Sequence, residues 1–114
     1  MNKKLMQHKI THKNLKKYDI TQKVIESLAD TESRTIIFSI IKKGKTANTL
    51  STSLKIPLSS VYKKLSELEN LTLIEVEKHQ ISDNGRRFKV YRSRINKAEI
   101  MIKNAEPILR LSAN

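Results

Sequence analysis

The chain has 114 residues, with 23 Lys and Arg against 11 Asp and Glu, which gives a formal net charge of +12. Its 38% of hydrophobic residues can build one modest core, and the absence of Cys excludes disulfides, thiolate catalysis and cysteine-ligated metal centres. No apolar run reaches the ~20 residues of a membrane-spanning helix, and the Lys-rich start lacks the apolar segment of a secretory signal. These features predict a soluble, cytoplasmic, single-domain protein with no membrane partner and no cofactor.

The positive charge is grouped along the chain. Residues 1–23, 42–64 and 78–97 each carry +6, whereas residues 65–77 carry −4 and residues 98–114 are neutral. Grouped positive charge is typical of a surface that binds a phosphate backbone. The same composition also suits a generic solubility surface, so the charge pattern has to be placed on a fold.

Residues 1–19 form a predicted basic, flexible N-terminal arm, because they are Lys-rich and lack a sustained apolar period. His8 and His12 lie four residues apart, a spacing that could chelate a metal ion on a helix. No third ligand lies near them in the sequence. We therefore interpret both as solvated histidines and expect no metal site.

Helical periodicity follows the arm. Thr21 can cap a first, short helix, and Asp30 and Thr31 can cap a second helix over about residues 32–42. Ile36, Ile37, Ile40 and Ile41 form its apolar stripe, which is typical of a core-facing helix. After this stripe, a glycine (Gly44) can stop the helix in a left-handed conformation.

Two further short helices are predicted on either side of Pro57. Thr46 opens the first of them, and Ser59 and Ser60 can cap the second, over about residues 59–69. Two short helices joined by a tight turn are typical of a helix-turn-helix. The apolar positions of the last helix, which we expect to face the core, are Val61, Leu65 and Leu68.

After Asn70 the apolar period changes from 3.6 to 2. Residues 71–78 and 86–93 are predicted strands, and Asp83-Asn84-Gly85 between them is a tight-turn signal. Together they predict a β-hairpin with a basic returning strand. One face of that strand is expected to carry Phe88 and Val90, and the other Arg87, Lys89 and Tyr91. Cross-strand ion pairs with Glu75 and Glu77 are expected for Arg92 and Arg94.

Residues 95–114 form a C-terminal extension with two interpretations. A heptad-like spacing would predict a dimerisation helix, but Pro107 falls within it and would remove a helical hydrogen bond. Over residues 98–103, one alternating set is Ala98, Ile100 and Ile102 and the other is Glu99, Met101 and Lys103, and this pattern favours a β-extension. The heptad positions are Ile95, Ala98, Ile102, Ala105 and Leu109.

The order of four helices and a hairpin predicts an α+β fold over residues 20–94, a winged helix-turn-helix with a helical core followed by a β-hairpin wing. Three stretches carry a resemblance to a known family: VIESLADTESRTIIFSIIKKGKT, LKIPLSSVYKKLSELENLTLIEVE and ISDNGRRFKVYRSRI. Within them, the Asp-x-x-x-Arg, Ile-Pro-x-Ser-Ser-Val-Tyr and Gly-Arg-Arg motifs resemble those of archaeal winged-helix transcriptional regulators of the arsenical-repressor-like group. The resemblance implies a nucleoid-associated regulator that binds double-stranded DNA. Metal sensing is not implied, because this chain has no Cys and no His cluster on the relevant helices.

A winged-helix fold assigns DNA contacts to three segments. The helix that begins near residue 46 is expected to cross the phosphate backbone, the recognition helix to enter the major groove, and the wing to reach the flanking minor groove. The backbone contacts are expected from Thr46 and Thr49. Those of the recognition helix are expected from Ser59, Ser60, Tyr62, Lys63 and Lys64, and those of the wing from Arg86, Arg87 and Lys89.

Other functions compete with this interpretation to different extents. No Gly-rich phosphate loop or nucleophile–base arrangement lies on fitting elements, so the sequence predicts no enzyme. An RNA- or ribosome-associated winged-helix protein would carry a similar basic surface, and a protein-interaction module would carry the charge incidentally. A homodimer is also compatible with the sequence, because regulators of this kind often bind palindromic sites.

Overall fold

The computed structural model describes residues 15–114, so most of the predicted arm and both His8 and His12 lie outside the described residues. The predicted boundary of the arm is wrong, because residues 15–19 belong to the first helix. Within this range, four helices are followed by two antiparallel hairpins, which confirms the predicted α+β class. The helices are α1 (Leu15–Ala29), α2 (Thr31–Ser39), α3 (Ala47–Leu54) and α4 (Leu58–Asn70). The strands are β1 (Ile74–Ile81), β2 (Arg87–Ser93), β3 (Ile95–Lys103) and β4 (Glu106–Ala113).

The core joins the helices and both hairpins. The three predicted apolar positions of α4 are each at most 1% exposed, which confirms that this face of the helix turns inward. Each fully buried side chain of this size contributes about 1.5–3 kcal/mol of transfer free energy. The opposite face of α4 is consequently left to solvent. Other completely buried side chains are Val24, Ile36, Ile37, Ile40, Leu50, Ile95 and Leu109.

Two helix starts are capped as the sequence predicts, whereas Thr21, the predicted cap of the first helix, lies inside α1. The side chain of Asp30 accepts a hydrogen bond from the backbone N–H of Ser33 at 2.9 Å, at the start of α2. The hydroxyl of Thr46 accepts one from the N–H of Thr49 at 3.2 Å, at the start of α3. Each cap satisfies a backbone donor that the first helical turn leaves unpaired, and thereby sets where the helix begins.

The predicted cap of α4 is wrong. The helix begins at Leu58, its N-cap is Pro57, and no side chain hydrogen-bonds to its first turn. Proline fixes φ near the helical value, here −52°, and the carbonyl of Pro57 accepts the first helical bond from Val61 at 3.0 Å. Ser59 and Ser60 therefore lie inside the helix and do not cap it.

The predicted role of Gly44 as a left-handed helix stop is also wrong. Helix α2 ends at Ser39, with Ile40 as its C-cap, and Gly44 does not have a positive φ. A Cβ at Gly44 would instead lie 2.7 Å from both the Glu77 carboxylate and a methyl group of Val90. Glycine is needed here because the α2–α3 connection passes directly against the wing.

The wing begins three residues later than predicted. Thr72 has a φ of 59°, and the N–H of Leu73 donates to the carbonyl of Leu68, so the end of α4 extends through a left-handed turn before β1 can start. A register shift between Val76 and Lys78 interrupts the pairing of β1 with β2. The hairpin is otherwise regular and antiparallel.

One of the two predicted wing ion pairs forms. Arg92 donates to the Glu77 carboxylate at 2.7 Å and to the carbonyl of Ile41 at 2.8 Å, which ties the wing to the end of α2. Arg94 does not share this arrangement: its side chain is exposed, and its backbone N–H donates to the carbonyl of Leu73. The expectation for Arg94 is therefore wrong.

The sequence predicts Tyr91 on the face of β2 that carries Arg87 and Lys89, but unlike these two residues Tyr91 is buried. Both Val90 and Tyr91 are buried, because the inner end of β2 is covered on both faces. Tyr91 and Lys45 exchange two backbone hydrogen bonds, of 2.9 and 3.0 Å, so the segment before α3 pairs with the wing. Burial raises the pKa of Tyr91, and the nearby charge of Glu69 adds to the effect.

The C-terminal residues form a second hairpin, β3–β4, and no helix covers residues 95–113. The strands turn at Asn104 and Ala105, which both have positive φ, of 54° and 64°. Two successive left-handed residues are typical of a two-residue hairpin turn.

Candidate nucleic-acid interface

The outward face of α4 carries a stripe of exposed polar side chains. Ser59, Lys63 and Ser66 follow the i, i+4, i+7 spacing of a helix and are all exposed, on the side opposite the buried apolar positions. Tyr62 flanks this stripe and is 50% exposed. The first turn of α4 keeps its backbone N–H groups free of side-chain caps. This end of the helix therefore presents hydroxyl, phenol, ammonium and amide donors together.

Two of the predicted contact residues lie on another side of α4. Ser60 and Lys64 line a cleft of about 730 Å³ between α4 and the adjoining ends of α1 and α2, and Lys63 of the outward stripe also borders this cleft. The ammonium of Lys64 lies 2.9 Å from the Asp30 carboxylate and 3.8 Å from that of Glu32, and the Lys64 side chain is only 21% exposed. The structure thus places Lys64 as a link between α4 and the cap of α2.

This link shifts the pKa of both partners. The hydrogen bond from Lys64, followed by that from the Ser33 backbone, lowers the pKa of Asp30 from 3.8 to about 2. The hydrogen bond to Asp30 raises the pKa of Lys64. Because the folded pKa of Asp30 lies below the unfolded one, its contribution to stability is present above pH 3.8 and is lost as the pH falls toward about 2.

We expect Asp30→Asn to remove this pH dependence. Asn still caps a helix but carries no charge, so the variant should have a lower free energy of unfolding than the wild type near neutral pH. The difference should be about 1 kcal/mol or less, because the side chains of Asp30 and Lys64 are both partly solvated. The difference should shrink on acidification from pH 4 to about 2. Denaturant unfolding over this pH range measures it, and a difference that stays constant would contradict the assignment.

The start of α3 lies beside the wing. Thr46 and Thr49, whose hydroxyls are 3.1 Å apart, line a groove of about 290 Å³ between the α3 N-terminus and strands β1 and β2. Three lysines from two separate parts of the chain also line it. The groove therefore combines threonine hydroxyls and ammonium groups, which are the donors that proteins use on phosphate oxygens. Its basic residues are Lys43, Lys45 and Lys78.

The tip of the wing is a structured turn. Gly85 has a φ of 80°, and the N–H of Arg86 donates to Ser82 Oγ and Asn84 Oδ1, at 3.2 Å each. The guanidinium of Arg86 lies over the ring of Phe88, 5.7 Å from its centroid. A cation–π contact of this kind holds the side chain beside the strand without neutralising it.

Two other basic residues follow the turn on β2. Arg87 and Lys89 are exposed, and their register partners on β1 are Ile81 and His79. The carboxylate nearest to them in sequence, that of Asp83, is on the turn itself. The returning strand β2 thus carries exposed, positively charged side chains on the part of the wing that lies away from the helices.

Sequence reasoning missed the lysines of the groove and Ser66 on α4. Lys43, Lys45 and Lys78 come together only because Lys45 pairs with Tyr91, a long-range contact with no signal in the sequence. Ser66 could have been found, because it lies three residues after Lys63 on the outward stripe. Among the residues that the structure describes, no group of His, Asp and Glu side chains is arranged to hold a metal ion.

A helical core, an α3–turn–α4 unit and a basic hairpin define a winged-helix protein. The fold is similar to that of NolR from Sinorhizobium fredii: the two structures superpose with a TM-score of 0.58, over 75% of this chain and 80% of that chain, at 15% sequence identity. This similarity confirms the predicted winged helix-turn-helix fold. No known protein family and no curated protein matches the sequence. No helix within residues 15–114 has the length and apolarity needed to cross a membrane.

Proposed function

We propose that this protein binds double-stranded DNA in a sequence-specific manner and regulates transcription, with α4 in the major groove. The observation that carries the proposal is the outward stripe of α4, where Ser59 and Lys63 lie opposite three completely enclosed apolar side chains. A helix can insert into the major groove, about 12 Å wide, only if such a polar face projects from the protein body. The similarity to NolR supports the fold on which the proposal rests.

The residues of α4 have distinct proposed roles. Lys63 can donate to the O6 and N7 acceptors of guanine, and Tyr62 can contact a thymine methyl group or a phosphate. The Ser59 hydroxyl can donate or accept at a base edge. Ser60 remains a proposed contact at the edge of the interface, whereas we leave Lys64 out because its ammonium is already paired with Asp30.

Backbone contacts are proposed at the groove beside α3. Thr46 and Thr49 lie at its rim, and the neighbouring lysine ammonium groups can neutralise phosphates on one strand. The wing would then follow the flanking minor groove, where Arg86 and Arg87 suit its narrow and negative surface. Lys89 would contact the adjacent phosphates.

Assignment to the archaeal arsenical-repressor-like regulators is also part of the proposal. The motifs around Asp30, Pro57 and Gly85 resemble those of archaeal arsenical-repressor-like regulators, which supports a regulator with no catalytic role. Binding to chromosomal DNA would place the protein with the nucleoid in the cytoplasm.

Two adjacent lysines on α4 test the proposal. Lys63→Ala should reduce the free energy of binding to a selected duplex by about 1–3 kcal/mol, because it removes a donor from the groove-facing stripe. Lys64→Ala is the matched control: it removes the same charge one residue away and should change affinity much less. Arg86→Ala should also weaken binding. Fluorescence anisotropy titrations measure all three, with thermal melting to verify folding.

Equal affinities of the Lys63→Ala and Lys64→Ala variants would contradict the proposed orientation of α4. Competition with structured RNA tests the RNA-associated alternative, because the deep, narrow major groove of helical RNA does not admit a recognition helix. We expect the selected duplex to outcompete a structured RNA of equal length. Preference for the RNA would contradict the proposal.

A further inference from the structure

The outer strand of the C-terminal hairpin leaves an apolar surface uncovered. On β3, Ile100 is 45% exposed and Ile102 66% on one face of the strand, and Met101 is 52% exposed on the opposite face. The partner strand β4 behaves differently, because Leu109 and Leu111 are completely buried against the protein body. Within the described part of the chain, β3 pairs with β4 alone, so its other edge presents unpaired backbone donors and acceptors.

The register of the hairpin shows that the face carrying Ile100 and Ile102 continues the core. Opposite residues in an antiparallel pair lie on the same face, and Ile100 faces Leu109 while Ile102 faces Pro107. The β4 member of each pair is buried and the β3 member is exposed. On this face of the sheet, the apolar side chains of β4 are thus buried and those of β3 are exposed to solvent. A long apolar edge strand of this kind pairs readily with another strand.

The charge distribution favours a second copy of this chain as the partner. Residues 98–114 carry two acidic and two basic residues, so this segment is neutral in a chain of net charge +12. Two copies would repel each other across most of their surface, but much less here. The segment is also separate from the candidate nucleic-acid interface on α4 and β1–β2.

We propose that two copies dimerise by antiparallel pairing of their β3 strands, centred on Met101, to form a continuous four-stranded sheet. A twofold axis perpendicular to the sheet passes through this centre. In this register Glu99, whose carboxylate also lies 3.7 Å from the Lys97 ammonium of its own strand, faces Lys103 of the partner subunit. Ile100 faces Ile102 of the partner subunit. Each contact occurs twice, so the dimer gains two pairs of unlike charges and two apolar pairs.

Neighbouring registers lack this complementarity. A twofold axis perpendicular to the sheet pairs residues that lie on the same face, so each allowed register is centred on one residue. The neighbouring registers are therefore centred on Ile100 or on Ile102. Centring on Ile100 would place Lys97 opposite Lys103 of the partner subunit, which opposes like charges. Centring on Ile102 would place Met101 opposite Lys103 of the partner subunit and leave Glu99 opposite an alanine. The pairing about Met101 is favoured by both charge and apolar contact.

A charge exchange tests the proposal on the full chain without DNA. Glu99→Lys and Lys103→Glu should each raise the dimer dissociation constant about tenfold or more, because each opposes like charges at two symmetric positions. The double variant Glu99→Lys/Lys103→Glu should return the constant to near its wild-type value. Sedimentation equilibrium over a concentration series measures the constants. A purely structural effect on the hairpin would not be reversed by the second substitution.

An apolar pair of variants provides a matched control. Ile102→Lys should weaken the dimer, whereas Ile81→Lys at the wing should not, although Ile81 is 65% exposed and Ile102 66%. Amide hydrogen exchange of β3 should also slow as protein concentration rises. A wild-type chain that stays monomeric throughout the series would overturn the proposal. So would a dimer whose constant is unchanged in the single charge variants, or one that the double variant fails to restore.

Discussion

Raising the salt concentration from about 50 to about 200 mM is expected to weaken duplex binding by roughly 10³–10⁵-fold, the loss typical of about six to ten phosphate contacts. The structure supplies suitable cations in the groove beside α3, on the outward face of α4 and on the wing. Each neutralised phosphate releases condensed counterions, so log K should fall with log salt at about −0.9 per contact. Anisotropy titrations at several salt concentrations give this slope directly. The cations are Lys43, Lys45, Lys63, Lys78, Arg86, Arg87 and Lys89.

The control for this measurement removes one phosphate contact at a time. Lys78→Ala in the groove should reduce the steepness of the slope by about one contact, whereas Lys97→Ala on β3 should leave it unchanged. Lys97 is exposed but belongs to the C-terminal hairpin, which lies outside the proposed interface. Duplex binding that stays equally strong at high salt would contradict the proposed phosphate contacts.

Leu65→Ala is expected to lower the unfolding free energy by about 2–5 kcal/mol, the usual cost of a cavity at a fully buried leucine. Leu65 is 1% exposed and lies on the inner face of α4. Tyr62→Ala on the same helix should cost much less stability, within about 1 kcal/mol, because Tyr62 is half exposed. Its larger effect should be on duplex binding. Denaturant unfolding and anisotropy titration, applied to both variants, separate the two faces of the helix.

Ser66→Ala completes the comparison, since Ser66 is exposed and alanine is a good helix former. We expect it to be neutral or slightly stabilising. A large loss of stability in Tyr62→Ala together with a small loss in Leu65→Ala would mean that α4 is rotated about its axis. The stripe of Ser59 and Lys63 would then no longer face outward, and the proposed interface would be wrong.

Local signals in the sequence predicted most of the helical framework. Apolar spacing located the buried face of α4, and the caps at Asp30 and Thr46 were identified because a capping side chain acts within three residues. The fold class followed from the order of these elements. Such features depend on neighbours in the chain, so they are readable without tertiary contacts.

The errors arose where distant segments meet. Gly44 is required by the side chains of Glu77 and Val90, which are more than thirty residues away in sequence. Tyr91 is buried because β2 pairs with the segment at Lys45. Neither contact leaves a periodic pattern. Local patterns in the sequence therefore assign Gly44 to the nearest helix end and do not indicate that Tyr91 is buried.

The sequence predicts which helices and strands form the candidate site, but it predicts only partly which of their side chains face outward. Periodicity separates the inner face of α4 from the outer, but it does not distinguish Lys63 from Lys64. Their difference arises from the Asp30 carboxylate, which the α1–α2 corner brings within 2.9 Å of Lys64. The groove lysines likewise depend on the approach of the wing to α3.

The most direct test of the DNA-binding account is an amide chemical-shift map of the isotopically labelled protein titrated with its selected duplex. The largest changes are expected at residues 58–63 and 86–89, with smaller ones beside the α3 groove. Residues 95–113 of the C-terminal hairpin should change little. The opposite pattern, with the hairpin or α2 perturbed while the start of α4 and the wing remain unchanged, would contradict it.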